Sequence, residues 1–161
     1  MNKQEVYEFL QAKGVTYEVT EHKAVYNMDE LAEVELLYPE ADAKNLFVRD
    51  DKKSSYYLIT VRGGKRVDLQ EFRKAYGTRR LSFASAEDLE RLLGLFPGSV
   101  TPLGLLNNVE KNVKLFLDSD FADDDLIGVH PNENTATVWL KAGDLVRLIR
   151  EHGNEVEAVE L

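Results

Sequence analysis

The stretch Gly94-Leu-Phe-Pro-Gly-Ser-Val-Thr-Pro-Leu-Gly-Leu-Leu-Asn-Asn108 sets three glycines, two prolines, a serine and a threonine among apolar residues. Neither a regular helix nor a regular strand tolerates that mixture. Glycine permits close backbone approach and proline fixes φ, so the Gly98-x-x-x-Pro102 portion suits a loop that holds backbone N–H groups toward one point, where an anion or a polarised carbonyl can bind. The bare spacing also marks plain surface turns. Leu103, Leu105 and Leu106 follow at once, however, and predict a loop running along a core, where its polar groups need partners.

Outward from this segment, short helical and extended patterns are interspersed. Lys3 to Lys13 carries Val6, Phe9 and Leu10 at helical spacing and stops at Gly14, and Tyr17 to Glu21 alternates as a strand. Asn27 is a candidate cap for a helix to about Leu37, with Asp29 and Glu30 in its first turn. Leu46 to Arg49 and Tyr56 to Val61 flank a polar turn and predict a β-hairpin. Asp68 with Glu71 reads as a capping box for a helix to Tyr76, and Ser85 with Asp88 as a less complete cap for a helix to Leu93. Beyond the glycine-proline loop, strands are expected over Val113 to Leu117, Leu126 to Val129 and Thr135 to Leu140. A helix over Asp144 to Glu151 and a short strand or tail from Glu155 to Leu161 complete the chain. Hairpin-like neighbours outnumber β-helix-β repeats, so the fold class is α+β, with a mixed, mostly antiparallel sheet and surrounding helices. No repeat or linker divides the chain, and residues 1–161 read as a single domain.

Composition bounds the function. A chain of 161 residues with 43% apolar content suffices for one buried core, and no stretch approaches the roughly 20 apolar residues of a membrane span. Without cysteine there is no disulfide, thiol nucleophile or thiolate metal site. The N-terminus lacks an apolar signal region, and the expected location is cytoplasmic. The net charge of -9 argues against indiscriminate binding to nucleic acid, yet between Arg62 and Arg80 seven basic residues face two acidic ones, leaving +5 there and -14 elsewhere. A solvated helix and turn accounts for such a stretch; so does a local phosphate-binding face formed by Arg62, Lys65, Arg66, Arg79 and Arg80.

Lys44 begins an apolar strand, where its methylene stem can be buried and its ammonium projected into a cleft. A lysine at a strand edge also serves solubility. Three motifs lie in order along the chain: Lys44-Asn45-Leu46-Phe47, the segment Gly98 to Asn107, and Gly128-Val129-His130-Pro131-Asn132. Together they resemble the YbaK and prolyl-tRNA synthetase-associated editing-domain superfamily over nearly the whole chain, with the greatest likeness to free-standing members that resemble alanyl-tRNA(Pro) deacylases.

The resemblance implies a single YbaK-like domain that hydrolyses the ester of a mischarged tRNA(Pro). Lys44 would orient the ester or a neighbouring phosphate, and the amides of Gly98 and Ser99 would stabilise charge on the carbonyl oxygen, with water as nucleophile. His130 would move a proton or hydrogen-bond the substrate. Asn45, Thr101, Pro102, Gly104 and Asn107 would organise substrate, with Val25, Leu46 and Val129 as candidate apolar lining. Ser99 and Thr101 lack a Ser-His-Asp grouping and are positioning groups rather than nucleophiles. The expected partners are the tRNA(Pro) acceptor end and, secondarily, prolyl-tRNA synthetase, with no DNA and no membrane.

No cofactor or metal is expected. Asp118, Asp120 and Asp123 to Asp125 read as a solvated acidic cap, and His22, His130 and His152 are dispersed without zinc-ligand spacing. Two positions depart from the family pattern: Leu103 stands where an aromatic residue is expected, and Asn108 where an aspartate is expected. The first would reshape the pocket or its adenosine platform; the second removes a negative charge. Cysteinyl-tRNA(Pro) hydrolysis and a non-catalytic tRNA-binding module of the same fold are the alternative readings.

Overall fold

The computed structural model describes residues 1–24 and 37–161. The helix expected from Asn27 and the lining residue Val25 lie outside the described residues. Helix α1 spans Lys3–Ala12, and its start is fixed by a reciprocal cap in which Asn2 accepts the Glu5 N–H while the Glu5 carboxylate accepts the Asn2 N–H. Strand β1 (Tyr17–Glu21) follows, then a single 3-10 turn at Pro39–Ala41, the hairpin β2 (Ala43–Asp50) and β3 (Tyr56–Arg62), and helix α2 (Leu69–Tyr76). Strand β4 (Leu81–Phe83), helix α3 (Ala86–Leu93) and a 3-10 helix over Pro102–Asn107 lead to β5 (Val113–Asp118), β6 (Leu126–Val129), β7 (Ala136–Lys141), α4 (Ala142–His152) and β8 (Val156–Val159).

The α+β class with mostly antiparallel pairing is as the sequence predicts, but the strands divide between two sheets. One has the order β4-β2-β3-β5-β8 and the other β1-β7-β6. β3 with β5 and β5 with β8 are the parallel pairs. Strand β4 escapes sequence reading because it is three residues long and only Leu81 of it is buried. The relative strength of two helix caps is also the reverse of expectation. Asp68 is a simple N-cap accepting from Gln70 and Glu71 N–H, whereas Ser85 and Asp88 form the full reciprocal box. Arg49 and Arg91 hold the Asp88 carboxylate in place, at 2.5 and 2.9 Å.

The principal core gathers Val6 and Leu10 of α1, Leu89 and Leu93 of α3, Leu103 and Leu105, Leu115 and Leu117 of β5, and inward residues of β6, β7 and α4. On the opposite face of the five-stranded sheet, α2 covers a second cluster in which Phe72 meets Phe116 edge to face at 4.9 Å. Asp120 and Asp123 to Asp125 of the acidic run are exposed, as the sequence suggests, but Asp118 is buried, 1% exposed, and its carboxylate accepts the Arg62 N–H, the Asp120 N–H and the Lys65 ammonium. The basic and acidic stretches thus neutralise each other locally.

The sheets meet where Asp42 and Gly128 form an isolated parallel bridge. Gly128 is required there because a methyl group on it would overlap the indole of Trp139, its directly paired neighbour on β7. Gly128→Ala should destabilise the fold by about 1–3 kcal/mol through overpacking, read as a lower denaturation midpoint with an unchanged denaturant slope.

Candidate active site

Extended backbone at Asp42 (φ -64°, ψ 144°) continues into β2, so Asp42 and Lys44 project from the same side of the chain. Because the bridge from Asp42 to Gly128 is parallel, the residues two positions further along each chain are Lys44 and His130. The first and third sequence motifs therefore start from neighbouring points at the seam between the sheets, while neither Lys44 nor His130 lines the cleft formed by Asn45, Leu46 and Gly98. Lys44 is half-buried and makes no hydrogen bond or ion pair among the described residues.

His130 immediately follows β6. Its Nδ1 lies 2.9 Å from the carbonyl of Ala136, which can only accept, so Nδ1 carries the proton and Nε2 of the neutral ring is an acceptor. Burial lowers the His130 pKa, with a further contribution from His22; the Ala136 contact opposes them. The His22 ring, 6.1 Å away, is itself engaged with the Lys23 carbonyl and Thr137 Oγ1. His130 is thus held as a neutral imidazole with one open acceptor, the form a proton-accepting or substrate-orienting group needs.

The glycine-proline loop joins this seam through Thr101, whose buried hydroxyl donates to the His130 carbonyl at 2.6 Å. Gly98 has φ +93°, a left-handed conformation that favours glycine. Asn45, Leu46 and Gly98 line one cleft of about 230 Å³ together with Phe47, Leu89 and Val100. The Asn45 carbonyl accepts from Thr60 Oγ1 at 2.6 Å, which fixes the side chain at the cleft wall.

A model of the aminoacyl-tRNA editing domain matches residues 22–148. The chain belongs to that family. It is 34% identical to the prolyl-tRNA editing protein ProX of Acetoanaerobium sticklandii over 99% of this chain and 97% of that one. It is also 31% identical to prolyl-tRNA synthetase associated domain-containing protein 1 of Bos taurus, over 91% of this chain and 87% of the relative. Among solved structures, one described as a candidate trans-editing enzyme for prolyl tRNA synthetase shares the fold with a TM-score of 0.69 and 22% identity, over 99% of this chain and 96% of that one. Family membership makes the chain an aminoacyl-tRNA deacylase.

Several residues singled out by sequence have structural partners in this editing domain. The Ser99 N–H donates to the Phe96 carbonyl at 3.0 Å, and the Ser99 hydroxyl bonds the same residue. The expected oxyanion role of the Ser99 amide is corrected accordingly, since that donor closes the turn. Neither Gly98 nor Val100 donates a backbone bond among the described residues, and both line the cleft. Asn107 donates to the Leu93 carbonyl at the end of α3 and accepts from the N-terminal ammonium, so it caps a helix. Pro102 is buried in the 3-10 helix, and Gly104 is packed so tightly on Leu95 that a Cβ would clash. Val129 belongs to the principal core.

The two departures from the family pattern are packing features. Leu103 is fully buried in the core and offers no platform. Asn108, 1% exposed, donates to the Leu92 carbonyl and Asn112 Oδ1 and accepts from the Val113 N–H and Asn154. An aspartate there could not donate either of the first two bonds. Arg62, Lys65 and Arg79 are likewise engaged, Arg62 with the carbonyls of Glu40 and Asp120, Lys65 with Asp118 and Asp120, and Arg79 with Asp51. Arg66 and Arg80 are exposed, with no such partner among the described residues.

Sequence reasoning passed over Asp42, which reads as an ordinary turn residue. It is 7% exposed, and burial pushes its carboxyl up to about 7, with the Ala43 N–H opposing. A carboxyl whose folded pKa is raised favours the folded state while protonated, and that contribution is lost as pH rises through about 7. Asp42→Asn should therefore melt higher than the parent at pH 8, by about 2–4 °C per kcal/mol recovered, and the gap should narrow at pH 5. A gap that does not change with pH would show that the carboxyl is not the cause.

Proposed function

We propose that this protein edits tRNA(Pro) in trans, hydrolysing the ester of alanyl-tRNA(Pro) and releasing alanine and intact tRNA. The prolyl-tRNA editing relative supports the tRNA. What supports the chemistry is a parallel bridge lying two residues before both Lys44 and His130, with Lys44 half-buried and without an ion pair among the described residues and the His130 pKa lowered by burial.

In this reading the Lys44 ammonium orients the ester through its carbonyl oxygen or the adjoining phosphate, and the Gly98 and Val100 amides donate to the oxyanion. Water attacks the carbonyl carbon and gives up a proton, for which His130 Nε2 is the acceptor. The bond from that carbon to the ribose oxygen breaks, the leaving ribose oxygen takes the proton back from His130 and departs as the hydroxyl, and the released amino acid gives its acid proton to solvent and leaves as its carboxylate. Asn45, Leu46 and Thr101 shape the site. Selectivity follows from size, because a pocket that admits alanine can exclude the proline ring, whereas a site built for proline cannot strongly reject a smaller residue.

Single-turnover deacylation of tRNA(Pro) charged separately with alanine, cysteine, serine and proline tests this. Rapid loss of alanine with proline spared is expected. Preferential loss of cysteine would assign the thiol substrate instead, and tRNA binding without hydrolysis would make the chain a recognition module. Lys44→Ala should lower the alanyl rate about 10²–10³-fold with little change in thermal stability.

Arg66 and Arg80 are the proposed phosphate contacts within the basic stretch. Removing either should weaken tRNA binding and reduce the salt dependence of log K by about one. Lys65→Gln, which removes a cation already paired with Asp118 and Asp120, should alter stability more than the salt slope.

A further inference from the structure

Asp42 presents a problem that the fold leaves unsolved. The residue is 7% exposed, and its Oδ2 is buried with no hydrogen-bond partner. No charged side chain among the described residues contributes to holding it ionised; the only favourable contact is the neighbouring Ala43 N–H. An unpartnered buried carboxylate oxygen is costly and is rare in native structures. A residue at this strand entrance needing only to shape the backbone would meet no such cost.

The position of Asp42 points to the missing partner. It bridges Gly128, two residues before His130, and stands two residues before Lys44. Along extended backbone that spacing is about 6.6 Å between Cα atoms, with both side chains on one side. The long Lys44 and the short Asp42 thus offer an ammonium and a carboxyl group, the latter able to ionise against a cation, from adjacent places at the seam. A metal ion would require further oxygen or nitrogen ligands, and no group of three His, Asp or Glu able to hold one occurs among the described residues. The editing substrate supplies the complementary pair itself: an ester carbonyl and, on the next carbon, an α-ammonium group with three donors.

We propose that Asp42 binds the α-ammonium of the aminoacyl ester, fixing the substrate so that its carbonyl faces Lys44, and restricts the site to aminoacyl esters with a free amine. The inference rests on the deacylase reading and adds a chemical requirement to it. Esters whose amine is acylated, as in a peptidyl-tRNA or N-acetyl-aminoacyl-tRNA, lose the charge and two of the three donors and leave the carboxylate oxygen unsatisfied. Rejection of such substrates is thereby built into the same residue that positions the correct one.

The test compares alanyl-tRNA(Pro) with N-acetyl-alanyl-tRNA(Pro) in single-turnover hydrolysis by the parent and by Asp42→Asn, with thermal melts confirming that both are folded. A charge-assisted hydrogen bond predicts a preference for the free amine of about ten- to a hundredfold in the parent. In Asp42→Asn that preference should collapse toward one, through a slower reaction of the free-amine ester with the acetylated ester little changed. An equal loss on both esters, or the same preference in both proteins, would overturn the role of Asp42 while leaving the deacylase reading intact. Binding of a non-hydrolysable 3′-amide analogue of the alanylated acceptor end, with its amine free or acetylated, provides the second arm. If the parent hydrolyses neither ester but Asp42→Asn abolishes a free-amine preference in binding, the ammonium site stands and the deacylase reading falls. If the parent binds both analogue forms equally, or neither, the ammonium site falls.

Discussion

A polar, glycine-rich and proline-rich loop is drawn through the principal core by its own leucines, and much of the surrounding structure satisfies the groups buried with it. Leu95, Leu103 and Leu105 are fully buried, so the backbone between them cannot remain solvated and must find partners within the protein. Thr101 reaches the His130 carbonyl, and Ser99 closes a turn onto Phe96. Asn107 and Asn108 take the free carbonyls at the end of α3. One consequence of this packing is positional: the loop becomes a fixed strut between α3 and the end of β6, and His130 is held at its tip.

The seam between the sheets supplies the remaining constraint. A single parallel bridge at Asp42 and Gly128 sets the register of β2 against β6, and the absence of a side chain at Gly128 lets the Trp139 indole lie against the backbone. The same close approach buries Asp42. The proposed editing site therefore lies where three polar groups are unusual: a lysine without a counter-ion among the described residues, a histidine whose pKa burial lowers, and a carboxyl with an open oxygen. Burial changes the protonation preferences of the last two in opposite charge senses but toward the same neutral state.

Electrostatics elsewhere are arranged for the fold itself. Along the chain the segment from Arg62 to Arg80 looks like one basic face, and the run from Asp118 to Asp125 like one acidic face. In space Lys65 lies on Asp118 and Asp120, and the Arg62 guanidinium stacks 4.4 Å from the Phe121 ring centroid. Part of the apparent nucleic-acid footprint is thus internal charge pairing, and among the described residues Arg66, Arg73, Lys74 and Arg80 remain exposed without an ion pair.

The sequence by itself determined the α+β class, the helix ends near Gly14, Tyr76 and Glu151, the β2–β3 hairpin and the order of the three motifs. Each of these depends on local chemistry: caps, turn residues, or apolar periodicity within a few positions. It also put forward Lys44 and His130 as candidates, because motif spacing survives in one dimension. Only the tertiary structure decided that the strands form two sheets, that the Ser99 amide is engaged, and that Asn107, Gly104 and Leu103 serve packing. Those outcomes depend on pairs distant in sequence, such as Asp42 with Gly128 and Asn108 with Asn154. Asp42 is the clearest case, since an aspartate before a strand is an ordinary turn residue until the opposing sheet removes its solvent.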